Sequence, residues 1–421
     1  MVEKMNNLLD KLIPKKDARG VLQRNMTVIY ASAFFHSFMV IVPVIVPFFM
    51  SKGLSLSEIF YLQAVFATTI VLLEAPSGYF ADIFGRRTAL LIGSVFHGLG
   101  YPCLNFADDM TTLVVFEITV GVAASLLSGA DLALLYDTQK AIAADDNQEH
   151  SKGIANLGFI KSGAEAIGAL LGGVLAIISF DLMVGIQSVA AWVCLLLALL
   201  VVEPPYKNQG DAKHQLQLIA ILRHLFNGDP VLRNVVIAIP LYNLATFHVV
   251  WLMQPYWESQ GLSLAIFGVL WCAQSLMLAF ANKFGFVIER RMGAVFALSV
   301  IGVLPIVGHF GMAYLQGWAG IMIGLLLFVC RGMNQVMLVN ALNRRVPSEF
   351  RATANSFTSF LFRLSFIATG PLVGYVAETQ GLVIALSLLG LASIALFLVV
   401  MLPLIQSVRA IPQRAVAKTT A

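Results

Sequence analysis

Apolar runs of span length alternate with short charged turns along nearly the whole chain. A membrane-crossing helix needs roughly 20 apolar residues. On that measure the pattern predicts spans near 25–50, 55–80, 87–106, 110–138, 153–178 and 183–203, then near 231–257, 263–285, 292–314, 317–341, 353–377 and 381–406. Lipid offers no partner to an open backbone, so such spans must be helices. The predicted fold class is an all-α membrane protein with twelve transmembrane helices in two pseudo-symmetric six-helix bundles, 25–203 and 231–406. The stretch 204–230 reads as a linker: it follows Glu203 with Pro204 and Pro205, which no helix crosses. A short amphipathic piece, Leu216 to Phe226, lies within it. Residues 1–24 form a basic N-terminal segment in which Leu8, Leu9, Leu12 and Ile13 could lie on a membrane surface. It is not expected to be a cleaved signal, because acids interrupt it and no small-residue cleavage site closes it. Residues 407–421 form a short tail.

Composition agrees with this reading. Of 421 residues, 58% are hydrophobic and 12% charged, and mean hydropathy is +0.83, which excludes an ordinary soluble domain. The net charge of +4 matters less than its distribution. Nearly all lysines and arginines fall in or beside loops on the side of the N-terminus, whereas the opposite loops hold only Lys52. That asymmetry predicts both termini in the cytoplasm. Cys103, Cys194, Cys272 and Cys330 lie inside apolar runs and read as small buried residues, with no disulfide frame and no metal set. No nucleotide-binding loop, H-E-x-x-H or G-x-S-x-G is present, so neither ATP coupling nor an enzyme is expected, and no cofactor. The basic residues are scattered through membrane-edge loops, which argues against nucleic acid.

The loop after the second run reads Gly78-Tyr79-Phe80-Ala81-Asp82-Ile83-Phe84-Gly85-Arg86-Arg87. This G-x-x-A-D-x-x-G-R-R pattern resembles the cytoplasmic loop between the second and third helices of the major facilitator superfamily of secondary transporters. Internal echoes fit the two-bundle plan of that superfamily. Gly53-Leu54-Ser55-Leu56 returns as Gly261-Leu262-Ser263-Leu264, Arg86-Arg87 as Arg290-Arg291, and Gly168-Ala169-Leu170-Leu171-Gly172 resembles Gly370-Pro371-Leu372-Val373-Gly374. The resemblance implies a conformational latch. Gly78 would allow close helix packing, Gly85 the turn, Asp82 would approach the start of the eleventh helix, and Arg86 or Arg87 would pair with Asp137. Two departures separate the chain from proton-coupled drug exporters of the superfamily. Glu117 stands where they often carry an arginine, and the fifth helix lacks their proline after Gly168.

Charges within spans are costly, at least about 2.5–3.5 kcal/mol each on insertion scales, so they usually serve a cavity or a partner. Glu74, Glu117, Asp131, Lys161, Glu165, Arg331 and Arg363 fall in this class. Lys161 and Glu165 are four apart and share a helix face. Either they neutralise each other, or Glu165 exchanges a proton under the influence of Lys161. Asp131 is a second candidate proton carrier, with a plain helix–helix hydrogen bond as the alternative. Arg331, Asn334 and Gln335 make one polar face of the tenth helix, and Arg363 lies deep in the eleventh. Each arginine could bind an anion or pair with an acid across the bundles. The resemblance implies a central cavity lined by helices 1, 4, 7 and 10, which adds His36, Asn243, Trp251 and Gln254 as substrate contacts. It leaves His97 and His309 on outer, structural helices.

The expected function is secondary active transport of a small organic solute across a bacterial inner membrane. It would work by alternating access, coupled to protons, with export favoured and a monomeric protein in the bilayer. Import of an anionic metabolite or metal chelate is the alternative direction, and a transport-dead sensor the alternative class.

Overall fold

The computed structural model describes residues 18–107, 109–142, 147–204, 221, 223–227, 229–347 and 350–410. The expected N-terminal surface helix, most of the linker and nearly all of the tail lie outside these residues. Among the described residues there are twelve helical spans long and apolar enough to cross a membrane. We label them α1 (Gly20–Ser51), α2 (Leu56–Phe84), α3 (Arg86–Phe106), α4 (Met110–Ile142), α5 (Gly153–Ile178) and α6 (Phe180–Leu200). The second set is α7 (Pro230–Ser259), α8 (Leu264–Met292), α9 (Ala294–Tyr314), α10 (Gly317–Arg345), α11 (Arg351–Thr379) and α12 (Leu382–Arg409). Of the amphipathic linker piece, Ile221 and Leu225 are described, and both are buried against the core of the second bundle.

Several helices outrun their apolar runs. The run in α8 fades near 285, yet the helix continues to Met292, because it ends where Gly293 turns with φ +87°, a conformation that side chains other than glycine's resist. Gly85, with φ +93°, makes the same turn between α2 and α3. These two glycines keep the offset that relates Gly53 to Gly261. The structural repeat therefore aligns Gly85 with Gly293. Arg290 and Arg291 precede the second glycine and close α8, whereas Arg86 and Arg87 follow the first and open α3. The sequence echo between the two arginine pairs is thus not a structural equivalence.

Predicted as continuous, α1 is broken. Its first helical part ends at Ser37 and helix resumes only at Val42. Pro43 and Pro47 lack the N–H groups that would continue the ladder. The freed backbone is satisfied by two glutamines. Gln187 of α6 accepts from Val40 N–H at 2.7 Å. Gln254 of α7 accepts from Val46 N–H and donates to the Val42 carbonyl, both at 2.9 Å. The glycines of α5 make room for this break: a Cβ on Gly172 would sit 1.9 Å from the Val40 carbonyl oxygen, and one on Gly168 3.0 Å from Met39 N. In α10, a wide turn over Asn334–Leu338 interrupts the α-helix.

Burial is divided unequally along the molecule. One core joins both bundles at the end opposite the Gly78–Arg87 loop, with Phe48, Phe49 and Phe60 packed in the same cluster as Trp257, Phe267 and Phe366. Toward the loop end there are two separate cores. One is built only from α1–α6, including Ile29, Leu90 and Leu134. The other holds residues of α7–α12 with Ile221 and Leu225, including Val236, Ile301 and Leu404. The bundles are thus fused at the far end and individually packed at the loop end. Large apolar side chains such as Leu72, Val189 and Val399 remain exposed on the outside, as a lipid-facing surface requires.

Candidate substrate cavity

Between the bundles, lined in part by residues of the shared core, lies a cavity of about 390 Å³. Both bundles contribute to it. Of the expected contacts, His36, Trp251, Gln254 and Arg331 line it. So does Glu117 of α4, one of the embedded charges, and so do Gln63, His97, Tyr101, Phe247 and Trp271, which the sequence did not place there. His97 was expected on an outer helix, yet its ring stacks at a tilt on His36 with centroids 4.8 Å apart. Glu117 is 3% exposed and accepts from Gln63 Nε2 at 2.8 Å. Among the described residues no cationic side chain lies within 4 Å of its carboxylate. Arg331 sits over the Phe247 ring, 5.4 Å from its centroid, and likewise has no carboxylate within 4 Å among the described residues.

Other expected contacts do different work. Gln254 touches the cavity, but its amide is committed to the broken backbone of α1 across the bundle boundary. Asn243 and Asn334 lie off the cavity lining, joined to each other at 2.9 Å, and Asn334 also donates to the Ile239 carbonyl. Gln335 is exposed and off the cavity lining. Arg363 pairs with Glu74 of α2 at 2.7 Å and with Ser359, so its guanidinium bridges the bundles instead of awaiting a ligand. An acid 289 positions away in sequence cannot be matched to its arginine by spacing.

The charges of α4 and α5 also sort differently from the sequence expectation. Lys161 pairs with Asp131 at 2.5 Å, not with Glu165. Lys161 and Glu165 share a helix face, but the buried carboxylate of Asp131 offers the stronger site. Glu165 itself is exposed on α5. Asp131 borders a small pocket that also touches His36.

At the loop end, Arg86 is the arginine that pairs with Asp137, and it also donates to the Ala133 carbonyl at 2.9 Å. Arg87 is buried and donates to the Leu199 carbonyl at 3.4 Å. Glu203 supplies a contact that the sequence did not suggest. Its two carboxylate oxygens accept from the backbone N–H groups of Arg86 at 2.9 Å and Arg87 at 2.7 Å, capping the start of α3. Burial pushes the Glu203 carboxyl above its ordinary range, against the opposing pull of those N–H groups and both guanidiniums. Gly85 is required twice over: by its positive φ, and because a Cβ would meet Glu203 Oε2 at 3.2 Å. Gly78 does not show the close packing expected of it, since a Cβ there would meet nothing within 4 Å. It opens, with Asp82, Ser128 and Gly129, onto a cleft of about 350 Å³ between α2 and α4.

The family model of the Major Facilitator Superfamily matches residues 26–371. The chain belongs to this superfamily, and it is an integral membrane protein with the fold of its transporters. It is 20% identical over 358 residues to the quinolone resistance protein NorA of Staphylococcus aureus (strain MSSA476), covering 84% of this chain and 89% of that protein. Among solved structures, a point mutant of the nucleoside transporter NupG superposes with a TM-score of 0.78 at 11% identity, over 91% of this chain and 99% of that one. A bacterial homologue of the lysosomal transporter Spinster, crystallised inward-facing and unoccupied, gives a TM-score of 0.70 at 14% identity, over 94% and 98%.

Proposed function

We propose that the protein is a proton-coupled exporter of small organic solutes, working as a monomer in the cytoplasmic membrane by alternating access. The observation that carries this reading is the division of the core. The bundles share one core at the far end and hold separate cores at the loop end, with the cavity between them. The basic loops support a cytoplasmic location for the loop end and both termini. The structure is then the state that loads from inside, and units 25–203 and 231–406 rock about the cavity. In the opposite state Gly78 and Asp82 would close against the start of α11, and the open face of Gly78 is what that latch would use. NorA carries quinolone resistance in its name, which supports export of drug-like solutes.

Coupling falls to Glu117. Asp131 is held by Lys161 and Glu165 is exposed, whereas Glu117 faces the cavity with only Gln63 as partner. A proton and a cationic group can therefore take turns on it. His36, His97, Tyr101 and Arg331 share the cavity and bear on the exchange. The test is proton movement in proteoliposomes with an internal pH dye, on addition of aromatic solutes. Solute-driven proton flux that is lost in Glu117→Gln and kept in Glu165→Gln is the expected result. Flux unaffected by Glu117→Gln returns the role to Asp131 or Glu165. Solute uptake that ignores the pH gradient overturns proton coupling.

A further inference from the structure

We infer that the cavity is built for zwitterionic aromatic solutes, with Glu117 receiving the solute's ammonium and Arg331 its carboxylate. The inference rests on the reading of this cavity as the transport site. Two opposite charges line one cavity, one on α4 and the other on α10, and neither has an ionic partner within 4 Å among the described residues. Of the other embedded charges, Asp131 takes Lys161, Glu74 takes Arg363, and Glu165 is exposed off the cavity lining. An isolated charge in such a site is unfavourable unless a partner arrives. Glu117 and Arg331 do not neutralise each other, so the partner is a ligand that supplies both complements.

The surroundings suit that ligand. Among the described residues, the Arg331 side chain makes a cation–π contact with Phe247 and no hydrogen bond or ion pair. Its planar N–H fork matches a carboxylate. Trp251, Trp271 and Phe116 supply aromatic wall to the same cavity. With Glu117 deprotonated, a singly charged solute would satisfy one residue and leave the other bare. A zwitterion satisfies both and, because α4 and α10 belong to different bundles, touches both moving units at once. Binding energy is then tied directly to the relative position of the bundles.

The test is a binding panel on the full-length protein in nanodiscs, read by calorimetry. Each of several aromatic scaffolds, with amine and carboxylate at short and long separation, is offered as the free zwitterion, its methyl ester and its N-acetyl derivative. At least one zwitterion should bind about tenfold or more tighter than both counterparts, as expected for one added charge-assisted contact. Glu117→Gln should reduce that zwitterion to the level of its N-acetyl form, and Arg331→Gln to the level of its ester. The wild-type comparison requires no variant, so a misfolded mutant does not remove the test. Esters that bind as well as zwitterions, or no zwitterion binding at all, overturn the inference. Proton flux with esters alone would leave the exporter reading standing while this inference falls. Zwitterion preference without proton flux would do the reverse.

Discussion

Replacing Gln254 with alanine should open the far end of the molecule. Gln254 reaches from α7 to the break in α1, and its amide satisfies the Val46 N–H and the Val42 carbonyl. Both bonds cross between the bundles, so they exist only while the far end is closed. Alanine leaves the buried Val46 N–H bare in that state alone, because in the open state it meets water, while the Val42 carbonyl keeps the Ile45 N–H. An unsatisfied buried group costs about 1–3 kcal/mol. In the middle of that range the closed state loses about 2 kcal/mol, a shift of roughly 30-fold toward far-end opening. Spin labels introduced by Ser51→Cys and Glu258→Cys, in a background lacking the four native cysteines, report the distance across that end by pulsed electron resonance. Both positions are exposed. Gln187→Ala is the control. It removes bonds to Val40 N–H and the Phe38 carbonyl that lie within the first bundle, so both states lose them equally and the distances should hold. An unchanged distance distribution in Gln254→Ala refutes the reasoning. The same shift in Gln187→Ala would show that the break in α1, not the bridge between bundles, governs closure.

Gly172→Ala should destabilise the protein by about 1–3 kcal/mol or more, because its Cβ would fall 1.9 Å from the Val40 carbonyl oxygen; a thermal melt in detergent measures this. Gly78→Ala should leave the melt within about 0.5 kcal/mol of wild type, since it points into open space, yet slow transport in proteoliposomes if the latch closes there in the other state. Arg363→Gln should leave the affinity of an anionic or zwitterionic solute within about twofold, because Glu74 already occupies its guanidinium, whereas Arg331→Gln should weaken it about tenfold. The raised affinity of Glu203 for its proton has a definite sign: between the ordinary carboxylate range and the folded value, the folded state holds more proton than the unfolded chain. Stability should therefore fall as pH rises through that window, and a melt series on Glu203→Gln should lose this part of the slope.

The spans and the charges within them were legible in the sequence, because each is a local consequence of placing residues in lipid. What each polar group is for was not. Gln254 shows why: a glutamine in a span can serve a solute or a backbone, and the choice depends on a break in another helix. Pro43 and Pro47 signalled that break, but hydropathy is blind to the backbone ladder and reads the run through them as one helix. Partner choice was hidden for a related reason. Lys161 and Glu165 stand at pairing distance along one helix, yet Lys161 turns to Asp131 on the neighbouring one. Arg363 finds its acid in the opposite bundle. The structure divides the embedded polar groups by what they satisfy. Gln187 and Gln254 complete a broken backbone, Asn243 and Asn334 join two helices, and Asp131 with Lys161 and Glu74 with Arg363 cancel charge. Groups satisfied in this way hold a conformation and are poor places to look for a solute. What remains on the cavity lining after the subtraction is Glu117 of one bundle and Arg331 of the other, with Glu165 off that lining, and a solute carrying both charges would leave neither of them bare.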